Sequence, residues 1–249
     1  ISLLGASLPI LAAGIAGKIY VKIVKKREEA YQAFLRNLLS YLSGGVPMLL
    51  ALKNILDVKY GALTKPIKNL YAKLVLRIDP QVAWRAFEIE AGSELIRRLD
   101  ATLLDTVYKG GDIAETGKLV NQLYTIFMAI RRRRYQVVSY FQGIITPLHA
   151  AMCALMGMIS AFFKLLFQYA SMVSTIVTFM YAPPIEFIDL YLIFLIVMFS
   201  ISNAMALYFI EGDSRYSFLF YLGLLLASGA AGFTATHYLT TEYLSKIQV

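Results

Sequence analysis

Apolar residues along this chain follow two regimes that meet at one junction. After Arg134 the run Tyr135–Phe163 (YQVVSYFQGIITPLHAAMCALMGMISAFF) holds no charge at all. Before it, apolar residues recur three or four apart and leave polar residues between them, the spacing of one-sided helices. Tyr31, Phe34, Leu35, Leu38 and Leu42 make one such stripe. Gly44-Gly45 then stops the helix and Pro47 starts a short one over Pro47–Asp57, the usual C-terminal Gly and N-terminal Pro. Val58–Thr64 reads as a loop, and Pro66–Ile78 as a helix with Ile67, Leu70, Tyr71, Leu74 and Ile78 on one side. Asp79-Pro80 predicts a capped helix start and Gly92-Ser93 its end. Glu94–Lys109 carries Leu95, Leu99, Leu103 and Val107 on one face, with Glu94 four residues before Arg98 on the other. Gly110-Gly111 ends it. Asp112 with Glu115 three residues on resembles a capping box for the next helix, whose stripe is expected to be Ile113, Val120, Leu123, Phe127 and Ile130. No alternating pattern calls for strands.

The uncharged regime asks for a different solvent. A bilayer core needs about 20 apolar helical residues, and several stretches supply them. The pattern predicts an all-α polytopic membrane protein: an antiparallel cytoplasmic bundle of about six helices and about four transmembrane helices. The expected division is 1–17 a first span, 18–134 the cytoplasmic bundle, 135–163 a second span, 164–187 an extracytoplasmic or re-entrant segment ended by Pro183-Pro184, 188–210 a third span, 211–216 a cytoplasmic turn, 217–238 a fourth span and 239–249 an extracytoplasmic tail. Four spans put Arg215 on the basic side, whereas five would put it outside. Gly14, Gly17, Gly223, Ala227, Ser228 and Gly232 fall in small-residue registers suited to close helix packing. Gly143 and Pro147 are where the second span would bend.

Composition supports the membrane reading. The chain is 58% hydrophobic with a mean hydropathy of +0.61, above the 45–50% of ordinary soluble domains. The net charge of +8 is unevenly placed: 21 of 24 lysines and arginines lie between Lys18 and Arg134, against 11 acidic residues there, an excess of ten. Because this excess abuts apolar spans, it fits the positive-inside rule better than nucleic-acid binding. Residue 1 is Ile and Ile1–Gly17 has no basic residue before it, so no secretory signal is expected and the chain reads as the later part of a longer polypeptide.

Candidate chemistry is sparse. HExxH, GxSxG and GxGxxG are missing. Gly111–Leu119 is a poor phosphate loop: five residues separate the glycines, Leu follows the Lys, and Asp112 and Glu115 would repel phosphate. His149 and Cys153 share a helix face four residues apart, and read either as a ligand pair or as an interhelical hydrogen bond beside a buried thiol; two ligands alone rarely hold a metal. One cysteine precludes a disulfide within the chain. Lys164 is expected to snorkel to the outer interface and His237 to sit near it. No cofactor is expected. What remains is the basic bundle, read as a solvated surface near anionic headgroups or as a docking face for an acidic partner.

The segment REEAYQAFLRNLLSYLSGGVPMLLALKNI (27–55) resembles the opening of the cytoplasmic helical domain of the type II secretion system F family, with its Phe-Leu-Arg helix, Ser-Gly turn and short helix. Gly110-Gly111-Asp-Ile-Ala-Glu-Thr-Gly117 is similar to that domain's later glycine and acidic turn. Several spans after the basic helix look like the archaeal branch, the platform protein of the archaellum or archaeal type IV pili, related to bacterial inner-membrane platforms. The resemblance implies a non-enzymatic platform, embedded in the lipid bilayer, that couples a cytoplasmic hexameric secretion ATPase to insertion or rotation of pilin-like subunits, and it suggests a homodimer. Charge makes Arg97, Arg98, Lys109 and Arg131, Arg132, Arg133 and Arg134 the expected ATPase contacts. A transporter or channel subunit with a basic regulatory domain, suggested by Pro147, His149 and the small-residue spans, is the alternative.

Overall fold

The computed structural model describes residues 2–174, 185–212 and 214–247, so the expected break at Pro183-Pro184 lies outside the described residues. Among the described residues eight α-helices run in order: α1 (Ser2–Leu42), α2 (Met48–Ile55), α3 (Thr64–Val75), α4 (Pro80–Ala91), α5 (Glu94–Lys109), α6 (Ile113–Ser174), α7 (Ile185–Glu211) and α8 (Arg215–Ile247), with a 3₁₀ turn at Gly61–Leu63. No strand occurs among the described residues. The all-α polytopic fold class therefore holds. Two compact units divide the chain, one of residues 19–133 and one of residues 1–18 with 134–249. Helices α1 and α6 are unbroken across that division.

The 19–133 unit is a bundle built the way water builds domains. Tyr31, Phe34, Leu35 and Leu38 on α1 are fully buried in one core with Leu52, Leu70, Trp84, Phe87 and Leu103. Phe34 stands edge-on to Tyr60 at 5.9 Å, and Trp84 edge-on to Phe87 at 5.6 Å. Each such side chain removed from water contributes about 1.5–3 kcal/mol. The boundaries follow local chemistry. Asp79 accepts from the Gln81 and Val82 N–H groups, Ser93 from Ile96 N–H, and Gly92 and Gly110 close α4 and α5 in the left-handed region. Asp112 Oδ1 accepts from the Ala114 and Glu115 N–H groups at the start of α6, so its carboxylate faces the helix end that a phosphate would need.

Three expectations shift here. Helix α3 starts at Thr64, two residues before Pro66, because Pro is tolerated in a first turn and Thr64 Oγ1 accepts from the Tyr60 N–H. It ends at Val75, before Ile78, and Arg77 takes a φ of 58°. The chain turns there through a left-handed cap, in which the Arg77 N–H donates to the Leu74 carbonyl and the Ile78 N–H to the Lys73 carbonyl. The expected stripe on α6 is rotated: Val120 and Tyr124 face the core, while Leu123, Phe127 and Ile130 are exposed. Tyr124 sets the face by donating its hydroxyl to the Glu28 carbonyl at 2.9 Å.

The other unit holds the membrane-capable segments. All four long helices have stretches apolar enough to cross a bilayer. Lipid is as apolar as leucine, so close backbone approach and interhelical hydrogen bonds must hold such helices together. Gly14 and Gly17 of α1 lie against the Phe220 backbone and the Tyr216 side chain of α8. A methyl group on Gly223 would come within 2.6 Å of the Leu11 Cα, and one on Gly232 within 2.8 Å of the Ala150 carbonyl oxygen of α6. Ala227 and Ser228 are half-buried, and Ser228 spends its hydroxyl on the Leu225 carbonyl of its own helix. A methyl group on Gly143 would meet nothing within 4 Å, and α6 stays helical through both Gly143 and Pro147.

Candidate functional site

In the 19–133 unit, α4 and α5 border an open groove of about 1590 Å³. Its lining includes Arg85, Glu88, Glu94, Arg97, Arg98 and Lys109, the last three being expected docking residues. Arg97 and Arg98 both hydrogen-bond Glu94 Oε1, at 2.6 and 2.9 Å, and Lys109 binds Asp105 at 2.8 Å. All these paired side chains are more than half exposed. The two arginine hydrogen bonds hold the Glu94 carboxyl down at about 2. Burial pushes Glu88 above the usual carboxylate range, against the pull of Arg97 and Arg85. Exposed pairs of this kind contribute little to stability, so an incoming carboxylate can exchange with Glu94 at small cost.

A chain of polar groups, buried at Ser93 and Glu28 and half-buried at Arg131, runs from the start of α5 to α6. Ser93, the cap of α5, donates to Glu28 Oε1 at 2.5 Å, and Arg131 of α6 pairs with Glu28 Oε2. Glu28 is buried at 4% exposure. Arg131 is thus half-buried with its guanidinium on Glu28, whereas Arg132, Arg133 and Arg134 are exposed. Arg134 belongs to the membrane-capable unit, where its guanidinium lies against Gly212. The structure groups Arg97, Arg98 and Lys109 on the groove and does not bring Arg131 onto it. A second buried acid, Asp100, accepts from the Tyr31 hydroxyl at 2.7 Å and has its other oxygen unpaired among the described residues. Sequence reasoning missed Glu28 and Asp100, yet both sit on apolar stripes: Glu28 three residues before Tyr31, and Asp100 between Ile96 and Leu103.

Residues 34–163, just over half of the chain, match the profile of type II secretion system protein F. The chain belongs to that family. A relative from Methanocaldococcus jannaschii, named flagella accessory protein J, is 26% identical over 226 residues, 87% of this chain and 40% of its own length. Another of the same name from Methanococcus voltae is 26% identical over 148 residues, 59% of this chain and 26% of its own. The chain thus spans less than half the length of these curated relatives. No solved structure matches.

In this family member the polar residues of the membrane-capable helices pin them to one another. His149 is buried, with Ser200 Oγ 3.1 Å and Cys153 Sγ 3.6 Å from its Nε2 and Asn203 Nδ2 3.4 Å from its Nδ1. That is the arrangement of an interhelical hydrogen bond beside a buried thiol. Among the described residues, no three His, Cys, Asp or Glu side chains gather as metal ligands. Lys164 is not a lone snorkelling cation: it pairs with Asp189 at 2.7 Å, Ser160 donates to the same carboxylate at 2.6 Å, and His237 Nε2 lies 3.5 Å from its ammonium. An ionised group beside lipid is stabilised by such a partner. At the other end of these helices Lys18 faces Glu211 at 4.0 Å and lies over the Phe220 ring at 4.0 Å. The α7–α8 turn therefore shares its end with Lys18 and Arg134.

Proposed function

We propose that this chain forms the membrane platform of a type IV pilus-like machine, an archaellum first, with no enzymatic activity of its own. It docks a cytoplasmic hexameric secretion ATPase and couples ATP hydrolysis to assembly or rotation of pilin-like subunits. The family membership and the names of the two relatives support the machine. The positive-inside rule argues for a cytoplasmic 19–133 unit. The observation that carries the coupling is the Ser93–Glu28–Arg131 chain: it ties the start of α5, whose next turn bears Arg97 and Arg98, to the helix that enters the bilayer. A partner carboxylate that pulls on Arg97 and Arg98 acts on α5 at its cap, and so on α6. The homodimer suggested by the family has a candidate face in Leu119, Leu123, Ile126 and Ile130 of α6, exposed at three- and four-residue spacing with no charge among them.

The test is binding of the cognate secretion ATPase to the full chain in nanodiscs. Arg97→Glu with Arg98→Glu is expected to weaken binding roughly tenfold or more at low salt, with the difference shrinking as salt screens the charges. Arg131→Gln is expected to keep binding but lose stimulation of ATP hydrolysis. The same samples, weighed by light scattering, should become monomers when Leu123 is changed to Asp. Docking unaffected by the double charge reversal would remove the groove from the mechanism.

A further inference from the structure

At the α7–α8 turn of the membrane-capable unit, Met205, Tyr208, Phe209, Arg215 and Phe218 line an open cleft of about 380 Å³. That is within the roughly 300–1,000 Å³ of small-molecule sites. Four of the five lining side chains are aromatic or aliphatic, and the charged one is the guanidinium. Tyr208 packs against Phe209 at 5.5 Å and Phe218 at 6.1 Å, which fixes two aromatic walls. Met205 and Phe209 are exposed, at 43% and 69%, so the slot opens outward from the helix pair. Arg215 is exposed at the rim, and no described carboxylate pairs with it. The nearest acid in sequence on α7, Glu211, is buried and turned to Lys18 instead. A second guanidinium, that of Arg134, lies against Gly212 of the same turn.

We propose that this cleft is a binding site for an anionic phospholipid. The phosphate sits at Arg215, on the turn that Arg134 also reaches, and one acyl chain lies in the slot between Phe209, Met205 and Phe218. The occupant follows from two complementarities. Phe209 and Met205 lie on a helix long and apolar enough to cross a bilayer and face outward, where the bilayer supplies hydrocarbon. The charged group of the cleft is the cation that opens α8, on the turn just past the end of that helix, where a spanning helix would reach the phosphate layer, and a guanidinium matches a phosphate's paired oxygens. A zwitterionic headgroup offers the same phosphate but carries its own cation beside it, so the site discriminates by net charge. The bound lipid would tie the α7–α8 turn to Arg134 of α6.

The experiment measures lipid retained by the full chain in native mass spectrometry, after titration with phosphatidylglycerol or phosphatidylcholine, with thermal unfolding in the same lipids as a second readout. The unaltered chain is expected to retain phosphatidylglycerol preferentially and to unfold at a higher temperature in it. Arg215→Gln should weaken that preference roughly tenfold, Arg215→Lys should keep most of it, and Phe209→Ala should lower retention of both lipids. Glycerol phosphate is the soluble-anion probe: it should not raise the unfolding temperature, and if it does so as well as the lipid, the site takes free anions and the lipid assignment falls. Equal retention of phosphatidylglycerol by the unaltered chain and Arg215→Gln overturns the proposal.

Discussion

Asp100 shows how one buried atom governs a bundle's response to pH. Burial holds its carboxyl well above the usual range, and the negative charge of Glu88 adds to this, while the hydrogen bond from Tyr31 pulls the other way. An acid whose folded pKa exceeds its unfolded value of about 4 contributes its full stability below that value. The contribution is lost as pH rises through the folded pKa. Asn at this position would still accept from Tyr31 and would carry no charge to desolvate. Asp100→Asn is therefore expected to raise the denaturation midpoint at pH 8 and to change it little at pH 4. The single tryptophan, Trp84, is fully buried in the same unit and reports unfolding by its fluorescence. A midpoint that falls more at pH 8 than at pH 4 would contradict the assignment. Glu28 is the opposite case, since Arg131 compensates it directly and removing that partner leaves a buried charge. Both residues were legible in the sequence only as interruptions of an apolar stripe. Which interruption is buried and paired depends on residues 65 to 103 positions away.

At the scale of elements, the caps were legible and the helix faces less so. Asp79, Gly92, Ser93, Gly110 and Asp112 define ends through local backbone chemistry, which depends on near neighbours alone. The face of α6 is another matter. Its residues 113–130 carry apolar side chains on two adjacent stripes, and spacing does not say which turns inward. Tyr124 and Arg131 decide, because both reach Glu28. Glycines divide the same way. Gly14 and Gly143 both fall in apolar runs of the sequence, yet a methyl on Gly14 would fall into the Phe220 backbone and one on Gly143 would meet open space. Gly14→Ala should thus cost about 1–3 kcal/mol by overpacking. Gly143→Ala should be neutral or stabilising by up to about 1 kcal/mol through helix propensity. Thermal unfolding of the two variants in detergent checks the contrast, and equal losses would refute it.

For the whole molecule, the two units rest on different forces. The 19–133 unit buries aromatic and aliphatic side chains away from water, and its buried acids Glu28 and Asp100 each hold a hydrogen-bond partner. The membrane-capable unit relies on glycine contacts and on hydrogen bonds such as those of His149 and Asp189. Its ion pairs also order its ends: Lys18 with Glu211 at one, Lys164 with Asp189 at the other. A four-crossing topology predicts Ser214 on the side of Lys18 and Phe187 opposite. In a Cys153→Ser background, Lys18→Cys and Ser214→Cys should react with an impermeant maleimide from one face of sealed vesicles, and Phe187→Cys from the other. Labelling of positions 187 and 214 from the same face would exclude this topology.

Hydrophobic period, turn residues and charge placement were enough to specify an all-helical membrane protein with a basic bundle, because helix propensity, capping and transfer into lipid act over a few residues at a time. They also located Arg97, Arg98 and Lys109 on an exposed face. Tertiary structure alone assigned roles within each class of residue. It set Arg131 on Glu28 while leaving Arg132 and Arg133 exposed, paired Lys164 with Asp189, turned Leu123 and Ile130 outward, and set Arg215 at the rim of an apolar cleft. The physical reason is that a charge or an apolar side chain takes its meaning from what lies within a few ångströms, and here those neighbours come from helices far apart in the chain.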